Sequence, residues 1–318
     1  MATVVLLGAL DTKGDEYAFI RDRVIESGCD VVMINAGVLG DPAYAIEFSR
    51  EEVAMAAGSD ISALVAAGDR GPAVTAMAEG AAITVQRLCD EGRIHGILGM
   101  GGSGSSSIVS HAMRRLPIGF PKILVSTMAA GNVSAYVGTS DIAMMYSVVD
   151  IAGINAVSSS ILGNAAAAVS AMAVAYEARV PPIDTRPLVG ATMYGTTTQC
   201  VDVARDTLDE LGYELLVFHA TGTGGRSMEA LMESGYVTAS LDVTTTELID
   251  EIAGGTLTAG PDRLEAAGAL GLPQVVSIGA TDQITFTPPQ AVPSEYRDRN
   301  CYKHNPSITL VRSNAEEC

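Results

Sequence analysis

"GILGMGGSGSSSIVSHAM", residues 96–113, decides how this chain is read. It runs from an apolar stretch through Gly101, Gly102 and Gly104, interleaved with Ser103, Ser105 and Ser106, into an amphipathic segment. Strand, Gly/Ser-rich turn and helix start, in that order, present bare backbone N–H groups at a helix N-terminus, where an anion is favoured. The spacing of Gly99, Gly101 and Gly104 satisfies GxGxxG. The ribose-binding acid expected about 20 residues further on is missing, so an NAD-type oxidoreductase is disfavoured. Walker spacing fails as well, because no Lys-Ser or Lys-Thr closes the loop.

The pattern around this stretch is α/β. "TVVLLGAL" (3–10) and "CDVVMINAG" (29–37) are continuous apolar runs, the mark of strands buried on both faces of a parallel sheet. "DTKGDEYAFIRDRVIESG" (11–28) lies between them at helical spacing and ends in Gly28, which completes a βαβ unit. Helices are expected at 72–92, 103–116 and 155–178, and strands at 94–102, 121–131 and 141–150. The stretch "RVPPIDTRP" (179–187) has three prolines in nine residues and reads as a linker. Beyond it, "LVGATMYGTTTQCVDVARDTLDELGYELLVFHATG" (188–222) repeats the strand, turn, helix, strand order of residues 6–37. The expected fold is therefore two tandem doubly wound, Rossmann-like parallel-sheet domains, 1–180 and 181–318. A strand and then a helix start at "SNAEE" are expected at the end.

Composition narrows the function. A net charge of −18 repels nucleic acids and anionic membranes, and the lack of tryptophan argues against base-stacking platforms. Five cysteines without CxxC spacing fit reduced thiols in a cytoplasm. The apolar N-terminal run is too short to span a membrane and reads as a first strand.

In open parallel sheets, ligands gather at the carboxyl ends of the strands. Four segments fall there: Asp11, Thr12 and Lys13; Gly101, Gly102, Ser103 and Gly104; Thr127, Met128, Ala129 and Gly131; and His219, Thr221 and Gly222. Lys13 is one of three lysines against sixteen arginines and is the expected phosphate contact. Asp11 could orient it, hold Mg2+ through water, or cap a helix. His219 is the histidine placed for function. No HExxH, GxSxG or acidic cluster marks a catalytic centre.

Taken together, "LGALDTKGDE", "GMGGSG", "KILVSTMAAGN", "VVDIAGIN", "FHATGTGGRSME" and "SIGATDQITF" resemble the family of the tomato mosaic virus resistance protein, over essentially the whole chain and in the family's order. The resemblance implies ATP as ligand, with or without Mg2+, in a cleft between two α/β domains, and a tendency to form homodimers. It also implies that relatives continue past "NPSITLVR" into a part of the second domain that this sequence lacks. The expected function is ATP binding of a regulatory kind. The competing expectation is a hydrolase or ligase acting on a phosphorylated or carboxylated metabolite.

Overall fold

The apolar runs become parallel strands whose alternate side chains feed two opposite cores. In the computed structural model, which describes residues 1–179 and 186–318, the chain divides into two compact units, Met1–Pro181 and Pro182–Cys318. The linker read at 179–187 lies for its greater part outside the described residues.

The first unit carries β1 (Thr3–Gly8), α1 (Gly14–Glu26), β2 (Asp30–Asn35), α2 (Arg50–Ala56), α3 (Ile61–Ala67), α4 (Arg70–Asp90), β3 (Gly96–Gly101), α5 (Ser103–Arg114), β4 (Lys122–Ser126), α6 (Ser134–Val137), β5 (Ala143–Tyr146) and α7 (Ala156–Glu177). Its five strands are all parallel, in the order β2-β1-β3-β4-β5. Successive residues of β1 point to opposite faces. Val5 and Leu7 join the core under α2, α4 and α5, while Val4 and Leu6 join the core under α1 and α7. The Tyr17 hydroxyl of α1 donates to the Leu7 carbonyl at 2.6 Å and accepts from the Met100 amide at 2.9 Å, which ties α1 to both central strands.

The second unit carries β6 (Leu188–Met193), α8 (Thr198–Glu210), β7 (Glu214–His219), α9 (Thr223–Glu233), β8 (Val237–Thr244), α10 (Thr246–Ala253), α11 (Glu265–Leu270), β9 (Gln274–Gly279), β10 (Gln283–Phe286), β11 (Cys301–Asn305) and β12 (Ile308–Arg312). Its parallel sheet has the order β7-β6-β8-β9, the order of the first four strands of the first unit. Both units are therefore α/β with a parallel sheet, compatible with a Rossmann-like fold.

The expectation of parallel sheet throughout the second unit fails after β9. Residues 283–312 form a three-stranded antiparallel sheet, β10-β12-β11, around a small core of Ile249, Ile284, Phe286, Val292 and Val311. The cause is period-two alternation, with Ile284 and Phe286 turned inward, in strands too short to announce themselves. The helix expected at "SNAEE" is a turn. The Asn314 side chain accepts the amides of Glu316 and Glu317, and Glu317 then pairs with Arg299.

Candidate functional site

Strand order reverses between β1 and β3, and the carboxyl ends of open sheets collect ligands at such a point. A cavity of about 440 Å3 lies there. Its floor is Ala9, Asp11 and Thr12 after β1 and Ala36 to Leu39 after β2. Gly104, Ser105 and Ile108 of α5 form one wall, and Leu64, Val65, Arg70, Ala73 and Met77 of α3 and α4 form the other.

Polar groups converge at the α5 end. The helix is N-capped by Gly102 without any side-chain cap, so the amides of Ser103, Gly104 and Ser105 have no intrahelical acceptor. Gly101 has φ of 151°, and a Cβ there would lie 2.4 Å from that of Ser105; the tight entry into the helix requires glycine. At Gly104 the missing side chain leaves room for Arg70, whose Nη2 lies 2.9 Å from the point a Cβ would occupy. The guanidinium thus rests against the first turn of α5. Among the described residues it makes no ion pair, unlike Arg50 with Glu51 or Arg115 with Glu79. A free cation beside uncapped amides and the positive end of a helix dipole is a seat for an anion.

Asp11 borders the same cavity. One carboxylate oxygen accepts the Leu39 amide at 2.8 Å, and the other is enclosed without a donor. An enclosed oxygen without a partner is costly and marks a place where a donor or cation belongs.

The sequence-derived residues divide as follows. Asp11, Thr12 and Gly104 line the cavity, and Gly101, Gly102 and Ser103 form the adjoining helix entry. Thr127 is brought beside them: its amide donates to the Gly101 carbonyl, and its hydroxyl lies 3.8 Å from where a Gly102 Cβ would be. Met128, Ala129 and Gly131 belong to the turn after β4, where the Ser126 hydroxyl and carbonyl take the Met128 and Ala129 amides and the Met128 carbonyl takes that of Gly131; none of the three lines the cavity. Lys13 is turned elsewhere, its ammonium donating to the Ile151 carbonyl. Arg70 is the cation that the cavity presents.

The loop of the second unit is already filled from within. Glu247 of α10 places one carboxylate oxygen on the amides of Gly222, at 2.8 Å, and Gly225, at 3.0 Å, at the N-terminus of α9. Its other oxygen takes Arg263 Nε at 2.8 Å. Arg263 also bonds Asp242 and Glu229, so one buried guanidinium serves three carboxylates. Burial opposes its charge, but Asp242 and Glu247 outweigh burial and raise its pKa. Thr221 donates to the His219 carbonyl, and the His219 ring contacts the Met193 carbonyl and stacks on Tyr194.

Nearby, Asp250 accepts the Thr285 and Leu257 amides, yet burial pushes its pKa up from 3.8 to about 6. An acid raised in the folded state binds a proton that the unfolded chain releases. Its stabilising contribution is complete below pH 3.8 and lost as pH rises through 6, a span worth about 3 kcal/mol. Melting of the second unit in wild type should rise between pH 7 and pH 5 relative to Asp250→Asn. Parallel pH profiles of the two proteins by calorimetry would discard this reading.

What sequence reading missed is Arg70 with the aliphatic wall of α3 and α4. The segment "DISALVAAGDRG" shows ordinary capping, with Asp60 and Asp69 as N-caps and Gly68 left-handed between two helices. Nothing in it signals that its arginine reaches α5.

Comparison with known proteins adds family context. Residues 2–178 match the N-terminal domain, and residues 186–318 the C-terminal domain, of the uncharacterised protein family UPF0261. A UPF0261 protein of Clostridium tetani is 49% identical over 315 residues, covering 99% of this chain and 77% of that protein. One from Rhizobium meliloti is 43% identical, over 100% of this chain and 78% of the relative. The tomato (Solanum lycopersicum) ToMV resistance protein Tm-1(GCR237) is 36% identical across 99% of this chain, which spans 44% of its length. Among solved structures, UDP-N-acetylglucosamine 2-epimerase from Rickettsia bellii aligns over 86% of this chain and 78% of its own at 9% identity. The TM-score of that alignment is 0.29.

Proposed function

The chain belongs to the UPF0261 family, and on that footing we propose that its first unit is a cytoplasmic nucleotide-binding module that holds ATP at the N-terminus of α5. The observation that carries the reading is the convergence of uncapped α5 amides and the unpaired Arg70 guanidinium on one cavity at the strand-order reversal. Phosphate groups would meet the amides of Ser103 to Ser105 and Arg70. The nucleoside would lie against Val38, Leu64, Val65 and Met77, aliphatic surfaces that need cover. Asp11 fits a bound Mg2+: its unpartnered oxygen is a hard donor beside the phosphate seat, and Mg2+ takes one or two carboxylates together with phosphate oxygens. Such an ion would neutralise phosphate charge in a chain whose net charge is −18. Free thiols at all five cysteines support the cytoplasmic reading. Virus resistance is a property named for the tomato protein alone.

The second unit's Gly-rich loop is left out of the ligand site, because Glu247 occupies the position a phosphate would take. Calorimetric titration tests the assignment. Arg70→Ala should lose about tenfold to a hundredfold in ATP affinity and little in adenosine affinity, since only ATP carries charge for it to meet. Lys13→Ala should change neither by much, because its partner is a backbone carbonyl. Absence of ATP binding by the wild type, or a selective loss with Lys13→Ala in place of Arg70→Ala, overturns the proposal.

A further inference from the structure

α5 carries a polar stripe that nucleotide binding does not use. Ser107, Ser110, His111 and Arg114 fall at helical spacing on one side of the helix, while Val109, Ala112 and Met113 on the other side enter the core. Opposite the stripe, α4 places Val74, Ala78 and Glu79. These two helices, with Ala135 of α6, line a second cavity of about 360 Å3. Val74 borders the nucleotide cavity as well, so the two cavities are neighbours along the groove between α4 and α5.

Glu79 is already engaged. It meets His111 Nε2 at 2.9 Å and Arg115 Nη2 at 2.9 Å. The hydrogen bond from His111, with Arg115 beside it, holds the Glu79 carboxyl below the usual carboxylate range. An ionised carboxylate can only accept, so a neutral His111 ring keeps its proton on Nε2 and leaves Nδ1 without one. Arg114 differs from Arg115. Its Nη1 donates to the carbonyls of Ala135, at 3.0 Å, and Tyr136, at 2.8 Å, and among the described residues it pairs with no carboxylate. The dipole of α5 favours a cation in its last turn, which accounts for the charge but not for a guanidinium held by carbonyls on a cavity wall.

With His111 neutral, two arginines and one glutamate leave the cluster with a single net positive charge, in a chain whose net charge is −18. One charge suits a monoanion better than a phosphate dianion, and Val74, Ala78 and Ala135 give a short apolar body cover. We propose that this cavity binds a small aliphatic monocarboxylate, its carboxylate on the remaining donors of Arg114 and its chain against Val74 and Ala78. Protonation of His111 adds a donor at Nδ1 and a second net positive charge, so the carboxylate is held more tightly as pH falls. The charged groups around His111 are Glu79 from α4 and Arg114 and Arg115 from its own helix; α6, "SAYV", carries none.

The test needs no nucleotide and so stands apart from the assignment of the neighbouring cavity. His111 is one of four histidines, and its ring C–H signals in NMR spectra are assigned with His111→Gln. Sodium butyrate is then titrated into the whole chain at matched ionic strength. A saturable shift with Kd of about 1–10 mM is expected at pH 6. Binding should weaken about tenfold by pH 8, as the imidazole proton is lost. Butyramide, with the shape but not the charge, should give no saturable shift. Arg114→Ala should weaken butyrate binding about tenfold or more while melting like wild type, since the position is exposed. Should that variant fail to fold, Arg114→Gln makes the same comparison while keeping a donor for the α6 carbonyls. A wild type whose His111 signals show no saturable shift overturns the inference. So does butyramide binding as well as butyrate, phosphate binding more tightly than butyrate, an affinity that does not change with pH, or an Arg114 variant that binds butyrate as wild type does.

Discussion

Arg263→Met is expected to unfold the second unit at neutral pH while the first unit melts as before. Arg263 is 4% exposed and holds Glu247 through Nε, Glu229 through Nη1 and Asp242 through Nη2, of which Glu247 and Asp242 are fully buried. Removing one partner of a buried pair costs about 3–5 kcal/mol, because the remaining charge is left without compensation. Here three carboxylates lose one cation together, and a whole domain has about 5–15 kcal/mol of stability. Glu229 already shows the strain: burial raises its pKa even with Arg263 in place. The variant should therefore recover on acidification, since carboxyls that are easier to protonate in the folded state stabilise it as pH falls. Calorimetry at pH 7 and pH 5 reads both effects, the second-unit transition being lost at the first and partly restored at the second. A variant that keeps both transitions at pH 7 would mean that the cluster contributes little to folding.

That cluster also shows where sequence reading stops. "TVVLLG" and "VVMIN" declare buried parallel strands because every residue is apolar, and Gly-rich segments after such strands announce helix entries. The two Gly-rich loops look alike in sequence, yet one opens toward a cavity and the other is closed by a carboxylate. The difference is Glu247, which in "TTELIDE" reads as an ordinary acid in the first turn of a helix. Only the tertiary contact with Gly222, Gly225 and Arg263 shows it to be an internal anion. Arg70 escapes notice for the same reason, being distant in sequence from the α5 turn it rests on. Lys13 misleads in the opposite direction: scarcity and position favour it, but the loop before α7 supplies a carbonyl that takes its ammonium. Periodicity reports which face of an element is buried. It carries no record of which polar side chain meets which.

Gly102→Val should abolish most ATP binding and leave the fold intact, and the separation of those effects is its value. Gly102 has φ of −82° and ψ of −164°, an extended conformation open to any residue. A Cβ built there meets only the Thr127 hydroxyl, at 3.8 Å, an ordinary contact. Valine is therefore tolerated by the protein and costs little in stability. At the N-cap, however, it stands beside the free amides of Ser103, Gly104 and Ser105 and bars close approach by a phosphate. Losing even two charge-assisted hydrogen bonds of about 1.5–3 kcal/mol each lowers affinity by a hundredfold or more. Gly101→Ala is the contrasting variant. At φ of 151°, with Ser105 Cβ 2.4 Å from the new methyl, it should lower the first-unit melting temperature with or without ligand. Melting curves and ATP titrations of both variants separate the two roles. If Gly102→Val binds ATP as wild type does and melts as wild type does, the N-terminus of α5 is not the phosphate seat, and the ligand must be sought elsewhere on the molecule.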